Sequence, residues 1–235
     1  MTDLFIRGLK INWEAVPANT YLYKIPSVRG INTLSFDKNV TFFVGENGSG
    51  KSTLLEAIAV AYGFNPEGGT INYHFSTYDD VSPLSNALTL IKGYNRPLLG
   101  YFFRAETFFN VATVGMLEYL GDDYHSNSHG EGFLAFMQGF DKPGLYIMDE
   151  PEAALSPQKQ LTLLEHIYRS AKNGSQFIIA THSPILLGTP EATIFSFDGE
   201  KVIPCQYEDT SSYQITKLFL QRKDMMLQEL LEKQP

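Results

Sequence analysis

Gly45-Glu46-Asn47-Gly48-Ser49-Gly50-Lys51-Ser52 fits G-x-x-x-x-G-K-[ST] at every fixed position. Ahead of it, Val40-Thr41-Phe42-Phe43-Val44 is a short apolar run of β type. Behind it, Thr53 to Tyr62 is apolar at helical spacing. A strand, a glycine loop and a helix in that order make a phosphate cradle. Glycines let backbone N–H groups curl around phosphate oxygens, and the helix N-terminus adds partial positive charge. On this reading Gly45, Glu46, Asn47, Gly48, Ser49, Gly50, Lys51, Ser52 and Thr53 hold the phosphates of ATP. Lys51 reaches the β- and γ-phosphates, and the Ser52 hydroxyl ligates Mg²⁺.

The rest of the chain is consistent with an enzyme of one domain. At 235 residues there is room for one α/β unit with a full core, read here as spanning 1–235. Hydrophobic residues make up 43% and charged residues 19%, ordinary values for a globular protein. No run approaches a membrane span, and Met1-Thr2-Asp3-Leu4 does not open a signal peptide. A single cysteine, Cys205, cannot form an internal disulfide, so a cytoplasmic setting is expected. The net charge of −8 argues against indiscriminate nucleic-acid binding.

Strands are expected at 4–6, 21–23, 33–36, 40–44, 98–103, 145–148 and 177–180, with a hairpin over 193–203 across Asp198-Gly199. Residues 65–140 read as a β excursion (70–75 with 88–91) followed by helical segments at 106–120 and 133–137. Pro157 to Lys172 reads as a helix capped by Ser156, and Ser211 to Lys233 as one long helix. Strands alternating with helices after the glycine loop imply a mixed α/β sheet, parallel at its centre, with an antiparallel N-terminal part.

Leu145-Tyr146-Ile147-Met148-Asp149-Glu150 is an apolar strand tipped by two carboxylates. Asp149 is placed to hold the Mg²⁺ shell, and Glu150 to polarise an attacking water. Asp149-Glu150-Pro151-Glu152-Ala153-Ala154-Leu155-Ser156-Pro157 resembles the joined hydrolysis motif and D-loop of ATP-binding-cassette ATPases. Ala180-Thr181-His182-Ser183-Pro184 resembles their switch-histidine motif, in the form common to the RecF, SMC and OLD-like branch. His182 stands 33 residues after Asp149.

The resemblance implies that Lys51, Glu150 and His182 are the catalytic residues, with His182 contacting the γ-phosphate. It also places a variant signature at Asn127-Ser128-His129-Gly130-Glu131-Gly132, with Ser128 and Gly130 on the motif's serine and second glycine. In the family this motif closes over the nucleotide of a second subunit. It therefore implies a homodimer with ATP sandwiched between protomers.

One family feature is missing. No glutamine lies in Gly100 to Thr107, where the Q-loop is expected; Glu106 or Arg104 are the residues available there. Tyr21 and Tyr23 are the candidates for contact with adenine. Three roles are compatible with this reading: a soluble ATPase acting in DNA maintenance or defence, with DNA or an effector protein as partner; the nucleotide-binding subunit of a transporter; or an ATP-sensing regulatory module.

Overall fold

Val40–Val44 (β3) is buried at every position, because it has a strand on each side and a core on each face. It runs parallel to Gln176–Ala180 (β8) and to Thr193–Ser196 (β9). Beyond β8 the parallel run continues through Gly144–Asp149 (β7) and Leu99–Arg104 (β6). Short antiparallel strands close both edges: Gly69–Thr70 (β4) on β6, and Ile203–Cys205 (β10) on β9. The seven-stranded order is β10-β9-β3-β8-β7-β6-β4. A second sheet, of three antiparallel strands, places Ile6–Ile11 (β1) between Thr33–Ser35 (β2) and Leu88–Lys92 (β5). This computed structural model describes residues 4–71, 82–105 and 142–232.

Successive residues of a strand point to opposite faces, so each central strand feeds two cores. Phe43, Ile147, Ile178 and Phe195 join Leu54, Leu55 and Ile58 of Lys51–Tyr62 (α2), together with Leu9 of β1. Phe42, Met148, Ile179 and Ile194 join Leu163 and Ile167 of Pro157–Lys172 (α4) and Leu186 of Pro184–Leu187 (α5). Each such side chain, fully buried, contributes about 1.5–3 kcal/mol. The helix that follows the glycine loop is thus clamped between the two sheets, which fixes the direction of its N-terminus.

The two sheets are joined by a buried polar tie. Gln176 Oε1 accepts from Ile6 N (2.9 Å), and Gln176 Nε2 donates to Ile6 O (2.7 Å). The amide completes the backbone pairing of β1 where its register with β5 shifts, so no buried backbone group is left orphaned there.

Several expectations are corrected. Tyr21-Leu22-Tyr23 is not extended: Tyr21–Lys24 is a 3₁₀ turn capped by Thr20, and Pro26–Arg29 (α1) follows directly. The aromatic content favours a strand, but the Thr20 cap and the helix-starting Pro26 prevail. Of the excursion expected over 70–75 and 88–91, residues 72–75 lie outside the described residues; β4 pairs with β6 and β5 with β1, both antiparallel. Leu84–Ala87 (α3) precedes β5. The helix expected over 211–233 is two, Ser211–Gln221 (α6) and Lys223–Glu232 (α7), broken at Arg222 (φ −136°, ψ 39°). Segments 106–120, 122–130 and 133–137 lie outside the described residues. Among the described residues, no helix is long and apolar enough to cross a membrane.

Candidate active site

The parallel strands all end on one side, and α/β sheets bind ligands beyond the carboxyl ends of such strands. Residues 45–50 follow β3, Glu150 follows β7, Thr181 and His182 follow β8, and Asp198 follows β9. Because β8 lies between β3 and β7, His182 is delivered between the glycine loop and the carboxylates.

Gly45, Gly48 and Gly50 have φ of +145°, +80° and +93°, a region that side chains enter only with strain. A Cβ on Gly50 would also stand 2.3 Å from Val28 Cγ2 and 2.8 Å from Ile25 Cγ2. Residues 25–28 therefore brace the loop from behind, and the Ser27 hydroxyl donates to Ser49 O. Gly50→Ala is expected to cost about 1–3 kcal/mol of stability from backbone strain alone. It should lower the melting temperature and weaken nucleotide binding together, as read by a thermal melt with and without ATP.

Lys51 is buried, at 4% exposure. Its Nζ donates to Gly45 O (2.7 Å) and Glu46 O (3.0 Å). Burial pushes the ammonium below its ordinary range, and the carboxylates of Glu150, Asp149, Asp198 and Glu46 oppose that shift. Its present acceptors are neutral carbonyls, so a phosphate oxygen carrying full charge would outcompete them. Ser52 Oγ donates to Asp149 Oδ1 at 3.0 Å, bringing together the two residues expected to ligate Mg²⁺. Ser49 Oγ is buried with no hydrogen-bond partner among the described residues. An orphaned hydroxyl of this kind costs about 1–3 kcal/mol, and a phosphate oxygen would satisfy it. Inward-curling glycines, an orphaned loop hydroxyl and a serine–aspartate pair together fit a triphosphate with Mg²⁺.

Glu150 adopts φ 50°, ψ 53°, one of two non-glycine residues at positive φ among the described residues. Its N–H donates to Ala180 O (2.9 Å), and its carbonyl accepts from Ala153 N (3.1 Å). The strained backbone is therefore held from both ends, as is common where a side chain must be aimed. The Glu150 carboxylate is 45% exposed and its Oε1 lies 3.8 Å from His182 Nε2. That separation allows electrostatic attraction but is too long for a hydrogen bond. His182 Nε2 is itself buried and without a hydrogen bond among the described residues.

Three further residues join the site without having been singled out for it in the sequence. Asp198, expected only as a turn residue, accepts from Glu46 N (2.8 Å) and so fixes the first turn of the glycine loop. The Glu152 carboxylate accepts from His182 N (2.6 Å). Gln160 Oε1 accepts from the Ser183 hydroxyl (2.6 Å). Gly45, Glu46, His182, Asp198, Ser211 and Ile215 line a cavity of about 190 Å³ beside the loop, so α6 begins at the site's margin.

Three further candidates make contacts of their own. Arg104 ends β6 opposite Asp149 of β7, and its guanidinium pairs with Glu56 (2.8 Å) and donates to Pro66 O (3.0 Å), bracing α2. Tyr23 packs on Trp13 (ring centroids 5.7 Å apart), with the Arg29 guanidinium 4.6 Å over the indole. Tyr21 is 50% exposed and donates to Ser82 Oγ (3.2 Å). Neither tyrosine is given a base-binding role by these contacts. Ser128, Gly130 and Glu106 lie outside the described residues.

Residues 24–82 match a family model described as AAA domain. Residues 132–188 match one described as AAA domain, putative AbiEii toxin, Type IV TA system. No curated protein matches the chain. The SMC head domain from Thermotoga maritima is similar at 14% identity and TM-score 0.48, over 86% of this chain and 100% of that one. The SmcHead bound to the C-winged helix domain of ScpA is similar at 14% identity and TM-score 0.49, over 87% and 99%. The structure of cbiO1 from Clostridium perfringens, part of the ABC transporter complex cbiONQ, is similar at 17% identity and TM-score 0.47, over 98% and 99%. The two AAA-domain matches cover separate segments, one containing the glycine loop and the other containing Asp149, Glu150 and His182, on a mixed sheet with an antiparallel annex.

Proposed function

We propose that the chain, as a single domain over 1–235, binds ATP with Mg²⁺ in the loop of residues 45–53 and hydrolyses it to ADP and phosphate. The observation that carries this reading is the 3.0 Å bond from Ser52 Oγ to Asp149 Oδ1. It joins the glycine loop to the acid-tipped strand across an intervening strand, so the two halves of the motif meet in space.

On this reading each residue of the site has a role. Backbone N–H groups from Gly45 to Thr53 cradle the phosphates, and Lys51 leaves its loop carbonyls to pair with the β- and γ-oxygens. Ser52 and Asp149 would hold Mg²⁺, which when bound neutralises charge developing on the transferred phosphoryl group. Glu150 accepts a proton from water positioned for attack on the γ-phosphorus. The P–O bond to ADP breaks as the new one forms, and ADP leaves with the bonding pair. His182 contacts the γ-phosphate from the end of β8.

The dimer belongs to the same proposal. The Ser128-containing segment resembles the signature that serves a partner's nucleotide, so ATP would act as interfacial glue between two copies in the cytoplasm. The role in DNA maintenance or defence is an extension of the RecF/SMC/OLD resemblance. An ATP-sensing regulatory module is favoured by one observation: Ile215, Leu218 and Phe219 of α6, beside the cradle, are exposed at 59%, 41% and 38%. The experiment is light scattering of Glu150→Gln with ATP and Mg²⁺. The expected mass is twice that of one chain with ATP and that of one chain with ADP. A monomer at saturating ATP would remove the dimer.

A further inference from the structure

The turn carrying Glu150 and the turn carrying His182 are latched to each other by the side chains of Glu152 and Gln160. The β8 ladder ends at Ala180, and Thr181 N still reaches Phe43 O (3.2 Å). The next amide, that of His182, has no backbone acceptor among the described residues; it donates to Glu152 Oε1 at 2.6 Å. Charge-assisted bonds of this kind are short and about twice as strong as neutral ones. Gln160 adds a second fastening. Its Oε1 accepts from Ser183 Oγ (2.6 Å), and its Nε2 donates to Leu155 O (3.0 Å). Residues 150–160 and 181–186 are thereby fastened as one unit beyond β7 and β8.

Stability alone does not explain Glu152. Its Oε2 is buried with no hydrogen-bond partner among the described residues, and a half-satisfied buried carboxylate is costly. A neutral acceptor would cap the amide at lower cost. The carboxylate stands two residues after the strained Glu150 and holds the backbone of the histidine whose ring faces Glu150.

We infer that Glu152 is a positioning residue. It sets the place of His182 relative to Glu150, so that contact with the γ-phosphate and activation of water occur in one rigid arrangement. This rests on the ATPase reading above. The residue acts through the His182 backbone.

The test compares Glu152→Ala with Glu152→Gln. Glutamine keeps an acceptor for the His182 amide, whereas alanine removes it. Glu152→Ala should lower kcat by about 100-fold, the scale of a misplacement of about 1 Å. It should weaken binding of a non-hydrolysable ATP analogue while ADP affinity stays unchanged, because only the analogue presents a γ-phosphate. Glu152→Gln should turn over close to wild type. Full activity in Glu152→Ala would overturn the inference. So would parallel loss of ADP and analogue binding tracking a fall in melting temperature, which marks a merely structural role. A further readout needs no nucleotide. The His182 amide proton should resonate far downfield in the wild type and in Glu152→Gln, and move upfield in Glu152→Ala. An unmoved resonance refutes the tie itself, whereas a moved resonance with an inactive wild-type protein refutes only the ATPase reading.

Discussion

Lys51→Ala is expected to lower kcat/KM for ATP by about 10²–10³-fold, the scale of removing one preorganised donor from a developing oxyanion. The side chain is almost completely enclosed, and its ammonium lies within the glycine loop on the Gly45 and Glu46 carbonyls. It is thus the cation nearest to where the phosphates would sit. Four carboxylates act on it electrostatically, so without it the site is net acidic and repels a triphosphate. The fold should persist, since a buried ammonium carries a desolvation cost that alanine does not. A melting temperature near that of wild type, combined with loss of ATP binding in a fluorescent-nucleotide titration, is the expected pair. Loss of folding together with binding would show Lys51 to be structural.

Glu150→Gln should separate binding from chemistry. The replacement is nearly the same size, and its backbone is held by Ala180 O and Ala153 N in the same way. What it lacks is the ability to take a proton from water. General-base removal costs about 10²–10⁴-fold in turnover. ATP affinity should hold or improve, because one negative charge near the phosphates is gone. Rapid-quench measurement of bound ATP and released phosphate distinguishes the two effects. Turnover equal to that of wild type would move the base to another group.

The parts of this site that were legible in the sequence are those whose physics is local. A glycine loop between a strand and a helix, an apolar strand ending in Asp149-Glu150, and Thr181-His182-Ser183-Pro184 after the next strand each declare themselves within ten residues. The parallel sheet follows from them, because buried strands of that composition need helices on both faces.

What stayed hidden depends on residues brought together from far apart. Gln176 joins Ile6 across 170 positions, and Asp198 holds Glu46 across 152. Arg104 lies where a nucleotide-facing residue is expected, and its guanidinium is tied to Glu56 of α2, a pairing across 48 positions that no local signal announces. Glu152 stands inside the quoted motif without a role of its own there, since nothing local shows that its carboxylate accepts from the His182 amide. The error at Tyr21-Leu22-Tyr23 has a different source: aromatic residues suit a pleated surface, and that preference masked the weaker local signals of the Thr20 cap and Pro26. The break at Arg222 has neither Gly nor Pro to announce it. The ladder resumes across it, Arg222 N donating to Leu218 O and Met226 N to Arg222 O.

Phosphate release from ATP by the wild-type chain, followed in time with Mg²⁺ and then with the cation chelated, bears most directly on the whole account. Steady release that stops on chelation, and that is absent from Lys51→Ala, is the predicted result. Release at the same rate from wild type and Lys51→Ala, or ATP held tightly by the wild type with no phosphate ever formed, would contradict it.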